Sequence, residues 1–196
     1  MSMKKEIIVP KSFDEITLKQ YLDFTSTAEG LLDDGSMQST LRTYKLVEII
    51  TGSTEEEIDD LSLEEMNVIS HEVKQLIDNF TEFKKGSNHF NLEGVDYVVK
   101  DINNLDNGEY ISLNLLKEQY GDDVRGLFPK MLAVLIRPGK MEYDSEKKEE
   151  IWTVEKFNRR DIMNLELRAD LFLNKAKAGD VIPIVNFFLS GKEISV

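Results

Sequence analysis

Apolar residues recur along this chain with a helical period more often than with a strand period. Met66, Ile69, Val73, Leu76, Ile77 and Phe80 fall three or four apart and draw one broad stripe down a single helix. Ser62 and Glu65 open that helix as a capping box, in which the hydroxyl and the carboxylate each satisfy a backbone amide of the first turn. Thr17 and Gln20 do the same for a first helix whose apolar face is Leu18, Tyr21 and Leu22. A further helix is predicted from about Gln38 to Ile50, with Leu41, Tyr44, Val47 and Ile50 inward and Gly52 as its stop. Ala28–Ser36 holds two glycines and an Asp pair and reads as a loop. Thr51–Leu61 reads as a short acidic helical turn, its Glu55, Glu56 and Glu57 placed at the positive end of a helix.

The pattern changes to period two at Phe90–Val99. His89–Leu92 and Val95–Val99 flank Glu93–Gly94, so Leu92 faces Val95 and Phe90 faces Tyr97, while His89, Asn91 and Asp96 project from the other side. A lone hairpin is marginal in water. Glu6–Val9, a short strand ended by Pro10, is the candidate third strand. Asp101–Gly108 is a polar turn and not a calcium loop, because Leu105 stands where an oxygen ligand is required and Asn114 where the bidentate Glu should be. Tyr110–Tyr120 and Asp122–Ile136 are predicted helices, the second striped by Val124, Leu127, Phe128, Met131, Leu132 and Leu135, with Pro129 near its start.

Arg137–Glu150 mixes charges after a Pro-Gly pair and is predicted to be an exposed loop. Thr153–Leu165 and Leu165–Ala178 read as helical and end at Gly179. A last helix is capped by Asp180, with Pro183 in its first turn and Val181, Ile184, Val185 and Phe188 inward. These elements predict an α+β protein, mainly helical, with one small antiparallel hairpin or three-stranded sheet. They fit a single domain over 1–196, divisible into a helical part 11–83 and a hairpin-plus-helices part 88–196.

Composition narrows the chemistry. The 196 residues carry a formal charge of −13 and no cysteine, and are 41% hydrophobic. A core can form without disulfides or metal. The charge disfavours the phosphate backbone of nucleic acid and suits solubility or a basic partner. No apolar run approaches the ~18 residues that span a bilayer, and MSMKKEIIVP is too short in apolar residues for a signal-peptide core. The expected protein is soluble and cytoplasmic.

Catalytic hardware is missing. The two histidines, His71 and His89, stand in no recognisable setting, which leaves neither a nucleophile–base pair nor a zinc site. The glycines at 121, 126 and 139 are not grouped as a phosphate-binding loop requires. Carboxylates cluster at Glu55–Glu57 and Glu64–Glu65, as helix starts do. The sequence therefore predicts no catalytic residue, no cofactor and no metal: a protein that is not an enzyme.

The order of motifs resembles a family of small proteins encoded by tailed bacteriophages of the Bacteroidota type. The resemblance runs from about Ile7 to Leu189. It is carried by IVP with ITLKQY, ITGSTEEEIDDLSLEEM, FNLEGVDYVV, GEYISL, KMLAVLIRP, Tyr143 in a charged segment and the pair Phe187–Phe188. Ile136 stands where the family pattern carries a tyrosine before Arg-Pro. The resemblance implies a virion structural component or tail-assembly chaperone that binds other phage structural or tail proteins, the tape measure among them. Such a protein would work in the host-cell cytoplasm during assembly or in the virion, without direct nucleic acid or membrane contact, and a homo-oligomer is compatible with it. Candidate partner-binding residues are Leu31, Leu32, Met141, Tyr143, Trp152, Phe187 and Phe188. The competing reading is an acidic nucleic-acid mimic that inhibits a host nuclease or DNA-binding protein, for which the Glu55–Glu65 cluster would be the start of a phosphate-like array.

Overall fold

The computed structural model describes residues 7–33, 39–80, 83, 88–146 and 148–189. Among these, eight α-helices and one four-stranded antiparallel sheet make a mainly helical α+β fold. The chain divides into two compact units: one takes it as far as Phe83 and includes Lys177–Gly179, and the other holds Lys84–Ala176 and resumes at Asp180.

The first unit contains α1 (Leu18–Asp33), α2 (Ser39–Thr51), α3 (Glu55–Asp59) and α4 (Leu63–Asp78). Capping chemistry sets three of the starts. At α1, the Thr17 amide donates to Gln20 Oε1 at 2.8 Å and the Gln20 amide to Thr17 Oγ1 at 3.2 Å. Thr54 with Glu57 and Ser62 with Glu65 complete the same reciprocal pair at α3 and α4. Val47, Ile50, Ile58, Ile69 and Val73 are buried with Phe13, Ile16, Leu18 and Leu22. Phe13 meets Phe24 and Phe80 at ring-centroid distances of 5.1 and 4.5 Å.

Three expectations change here. Ala28–Asp33 continues α1 instead of forming a loop; residues 34–38 lie outside the described set. Leu41 is 57% exposed and not inward, so the buried face of α2 begins further along. Ile7–Val9 forms no strand, and Glu6 lies outside the described residues.

Tyr44 of α2 gives this unit a titration signature. Its hydroxyl donates to Asp59 Oδ1 at 2.5 Å and lies 3.1 Å from the Glu55 carbonyl oxygen. The bond to Asp59, followed by burial and the nearby carboxylates, pushes the phenol up to about 12. A folded value raised above the ordinary 10.0 gives a stabilising contribution that is whole below pH 10 and is lost as pH climbs through about 12. The stability gap between wild type and Tyr44→Phe should therefore be constant up to pH 10 and shrink above it, as read by urea denaturation across that range.

The second unit holds β1 (His89–Leu92), β2 (Val95–Val99), β3 (Ile136–Asp144) and β4 (Glu149–Val154), in the spatial order β1-β2-β3-β4. Its helices are α5 (Asn107–Tyr120), α6 (Val124–Leu135) and α7 (Ile162–Lys175), followed by α8 (Ala178–Leu189), of which Asp180 onward belongs here. The β1–β2 register is the predicted one, with Phe90 opposite Tyr97 and Leu92 opposite Val95. Both turn residues have positive φ, Glu93 at 52° and Gly94 at 79°, the handedness that a two-residue hairpin turn requires.

Helix α6 packs against both α5 and α7 and is buried at nearly every position from Leu127 to Leu135. A helix apolar all round is a core helix.

The sheet gains its third and fourth strands from the segment expected to be a loop. Arg137–Glu150 lies within the β3–β4 hairpin and its turn, and β3 pairs with β2 through Ile136–Pro138 and with β4 through Gly139–Asp144. Gly139 makes the handover possible. A Cβ there would lie 2.3 Å from Val98 Cγ2 and 2.6 Å from the Thr153 carbonyl oxygen.

Thr153 and Val154 belong to β4, not to a helix, and α7 starts only at Ile162, where Asp161 accepts from the Asn164 amide at 3.3 Å. Gly179 does not end a helix. It lies within α8, where a Cβ would approach the Asp14 Cα to 2.8 Å, so glycine serves close backbone approach there.

Candidate functional site

Three of the seven predicted contact residues come together on the β3–β4 hairpin. Met141 and Trp152 are directly paired across the strands, and Tyr143 follows Met141 by two residues. Strand alternation therefore puts all three on one face. Met141 is 50% and Tyr143 65% exposed, while Trp152 is half-buried. Trp152 is held by His89 of β1, whose ring stacks on it at 4.6 Å and 25°. Among the described residues, the outer edge of the sheet on this side is β4, which pairs with β3 alone.

Of the hairpin's acidic residues, Glu150 is paired with Tyr143 and shares this face, while Asp144, Glu149 and Glu142 alternate onto the other, where Lys140 pairs with Glu142 at 2.5 Å. That pair holds the Glu142 carboxyl below its ordinary range, the hydrogen bond from Lys140 being the first cause. Leu31 and Leu32 fall in α1, and Phe187 and Phe188 in α8. The side chains of these four lie outside the described residues.

On the opposite row of the sheet, Phe90, Tyr97 and Pro138 are cross-strand neighbours. Phe172 of α7 packs edge-on against Tyr97 at 5.2 Å and Phe90 at 6.3 Å. Between this row and α7 opens a cavity of about 360 Å³, lined among others by Tyr97, Pro138, Glu155, Asn158, Asn164 and Arg168. It is large enough for a single side chain or a small molecule. Arg168 is mostly buried there, its Nη1 4.0 Å from Glu155 Oε2. Burial lowers its pKa first, and the neighbouring Arg137 adds to that effect against the opposing pull of Glu155. Burial likewise raises the Tyr97 phenol.

Beside the cavity, Arg137 and Glu109 form an ion pair in which each side chain is only 1% exposed. The Arg137 guanidinium also lies 5.4 Å from the Phe157 ring centroid. Its Nε and Nη1 atoms are buried without a hydrogen-bond partner. Phe157 in turn anchors the Glu155–Asp161 segment that leads into α7.

Sequence reasoning missed Arg168, Tyr97, Arg137 and Glu109 as site residues. The signal available for Glu109 was its place three residues after Asp106, a capping box that starts α5 at Asn107, ahead of the predicted Tyr110. Nothing local marks Arg168, a single arginine inside a helical pattern. The Glu55–Glu65 cluster spends Glu57 and Glu65 on capping boxes. No described helix is long and apolar enough to cross a membrane.

No protein-family model, curated protein or solved structure matches this chain.

Proposed function

We propose that this chain is a non-enzymatic protein that works by binding another polypeptide, in bacteriophage virion or tail assembly. The observation that carries the binding role is the β3–β4 face, where Met141 and Tyr143 project into solvent beside a Trp152 already braced by His89. Aromatic and methionine side chains grouped on a firm support are what interface centres use, and a net charge of −13 favours a partner with a basic surface. An exposed strand edge next to that face adds backbone groups a partner can pair with. The phage setting is supported by the motif resemblance that runs from IVP to Phe187–Phe188.

The test compares wild type with a Met141→Ser/Tyr143→Ser double variant, both tagged and expressed in infected cells. Both side chains are exposed, so the variant should melt within about 2 °C of wild type. Wild type should co-purify with phage structural or tail proteins, and the variant should lose them about tenfold or more. Equal recovery by the two proteins would remove the hairpin face from the proposal. Recovery of a host nuclease in place of phage proteins would replace it with the inhibitor reading.

A further inference from the structure

The cavity between the sheet and α7 uses none of the residues of the exposed hairpin face. Its lining balances charge in a chain that is strongly acidic: in a protein of net charge −13, Lys156 and Arg168 line the cavity with Glu155 and Asp161, and Arg159 and Arg160 lie in the segment beside it. Two carboxylates oppose them, and neither is hydrogen-bonded to Arg168. Asp161 accepts hydrogen bonds from the amide and side chain of Asn164 at 3.3 and 2.6 Å and caps α7. Glu155 reaches Arg168 only at 4.0 Å, beyond hydrogen-bond length, and its side chain is 59% exposed.

Arg168 itself is largely withdrawn from water, and its buried Nε has no partner. A desolvated guanidinium without a hydrogen-bonded counter-ion is costly, and a carboxylate arriving from solvent relieves that cost. The remaining walls suit a short carbon stem behind such a carboxylate: Tyr97, Pro138, Leu167 and Leu171 are apolar, while Asn158 and Asn164 supply amides.

We propose that this cavity receives the carboxylate of an acidic side chain, with Arg168 as its charge partner and the Tyr97–Pro138–Leu171 wall against its methylene stem. The source, an acidic residue of a bound polypeptide, rests on the polypeptide-binding reading; the site and its chemistry do not. Glu155 swings aside on entry, its place beside Arg168 taken by the incoming group.

The test is an NMR titration of the isotope-labelled full chain with three probes: N-acetyl-glutamate amide, its neutral counterpart N-acetyl-glutamine amide, and inorganic phosphate. The expected result is a saturable shift of Arg168, Asn158, Asn164 and Tyr97 signals with the glutamate probe and little with the glutamine probe. Arg168→Met keeps the aliphatic stem and should weaken glutamate binding about tenfold or more. Lys156→Met, a change at an exposed side chain that leaves folding intact, should weaken it about two- to fivefold.

Equal response to glutamate and glutamine, or unchanged binding by both variants, overturns the proposal. Tighter binding of phosphate than of glutamate overturns the carboxylate assignment. Because these probes carry no partner sequence, a positive titration with failed co-purification leaves the cavity standing and removes the assembly role. The reverse pattern does the opposite.

Discussion

Arg137→Met destabilises the fold by about 3–5 kcal/mol in urea denaturation, and the double variant Glu109→Leu/Arg137→Met recovers most of that loss. The reason lies in what each change leaves behind. Both members of the pair are withdrawn from water to 1% exposure, so removing the guanidinium strands a carboxylate in the core. Removing both strands no charge and puts two apolar side chains where two charges had been desolvated. What it gives up is the capping-box bond from the Asp106 amide to Glu109 Oε2 at 2.8 Å, a loss of about 1 kcal/mol that keeps the recovery short of complete. The pair is also imperfect, because Arg137 Nε and Nη1 have no acceptor. An incompletely satisfied ion pair gives back less than its desolvation costs, which favours recovery in the double variant. If the double variant is as unstable as the single one, the pair is a net stabiliser and the reading of its geometry fails.

The same pair has a consequence for the cavity. Arg137 lies against Phe157, at the centre of the Glu155–Asp161 segment, and that segment supplies Glu155, Lys156 and Asn158 to the cavity wall. The double variant should therefore restore stability without fully restoring carboxylate binding.

How much of this was legible in the sequence depends on how local each determinant is. The helix starts at Thr17 and Ser62 were readable because a capping box needs only residues three apart. The β1–β2 hairpin was readable because its turn and alternation occupy one short run. The β3–β4 hairpin was misread because its charges look like a solvated loop. Yet Met141 and Tyr143 do alternate with Lys140, Glu142 and Asp144 there, and the period was available beneath the charge. Pro138 and Gly139 looked like a turn, whereas the glycine is needed where β2, β3 and β4 crowd together.

Glu109 and Arg137 are 28 residues apart and belong to different elements, so no window of sequence pairs them. The cavity is a product of packing in the same sense. Tyr97 comes from the hairpin, Pro138 from the third strand and Arg168 from the middle of α7, which starts at Ile162 and not at the Thr153 or Leu165 starts of the two segments read as helical. Exposed contact residues could be nominated singly, but their assembly on one face required the register of two strands.

Phe172→Ala is expected to cost about 3–5 kcal/mol, against less than about 1.5 kcal/mol for Phe172→Leu. Phe172 is wholly buried, and it joins α7 to the sheet through edge contacts with Tyr97 and Phe90. Truncation removes both ring contacts and leaves a void beside the Tyr97 and Phe90 rings, which they can only partly fill. Leucine keeps most of the volume and loses only the aromatic geometry. The Tyr97 phenol reports the difference. Its pKa is raised chiefly by burial, so water reaching the void in Phe172→Ala should bring it back toward 10.0, while Phe172→Leu leaves it raised. An alkaline titration followed by NMR of labelled tyrosines separates the two outcomes. A Tyr97 value that stays raised in both variants would mean that the sheet closes onto α7 without this ring.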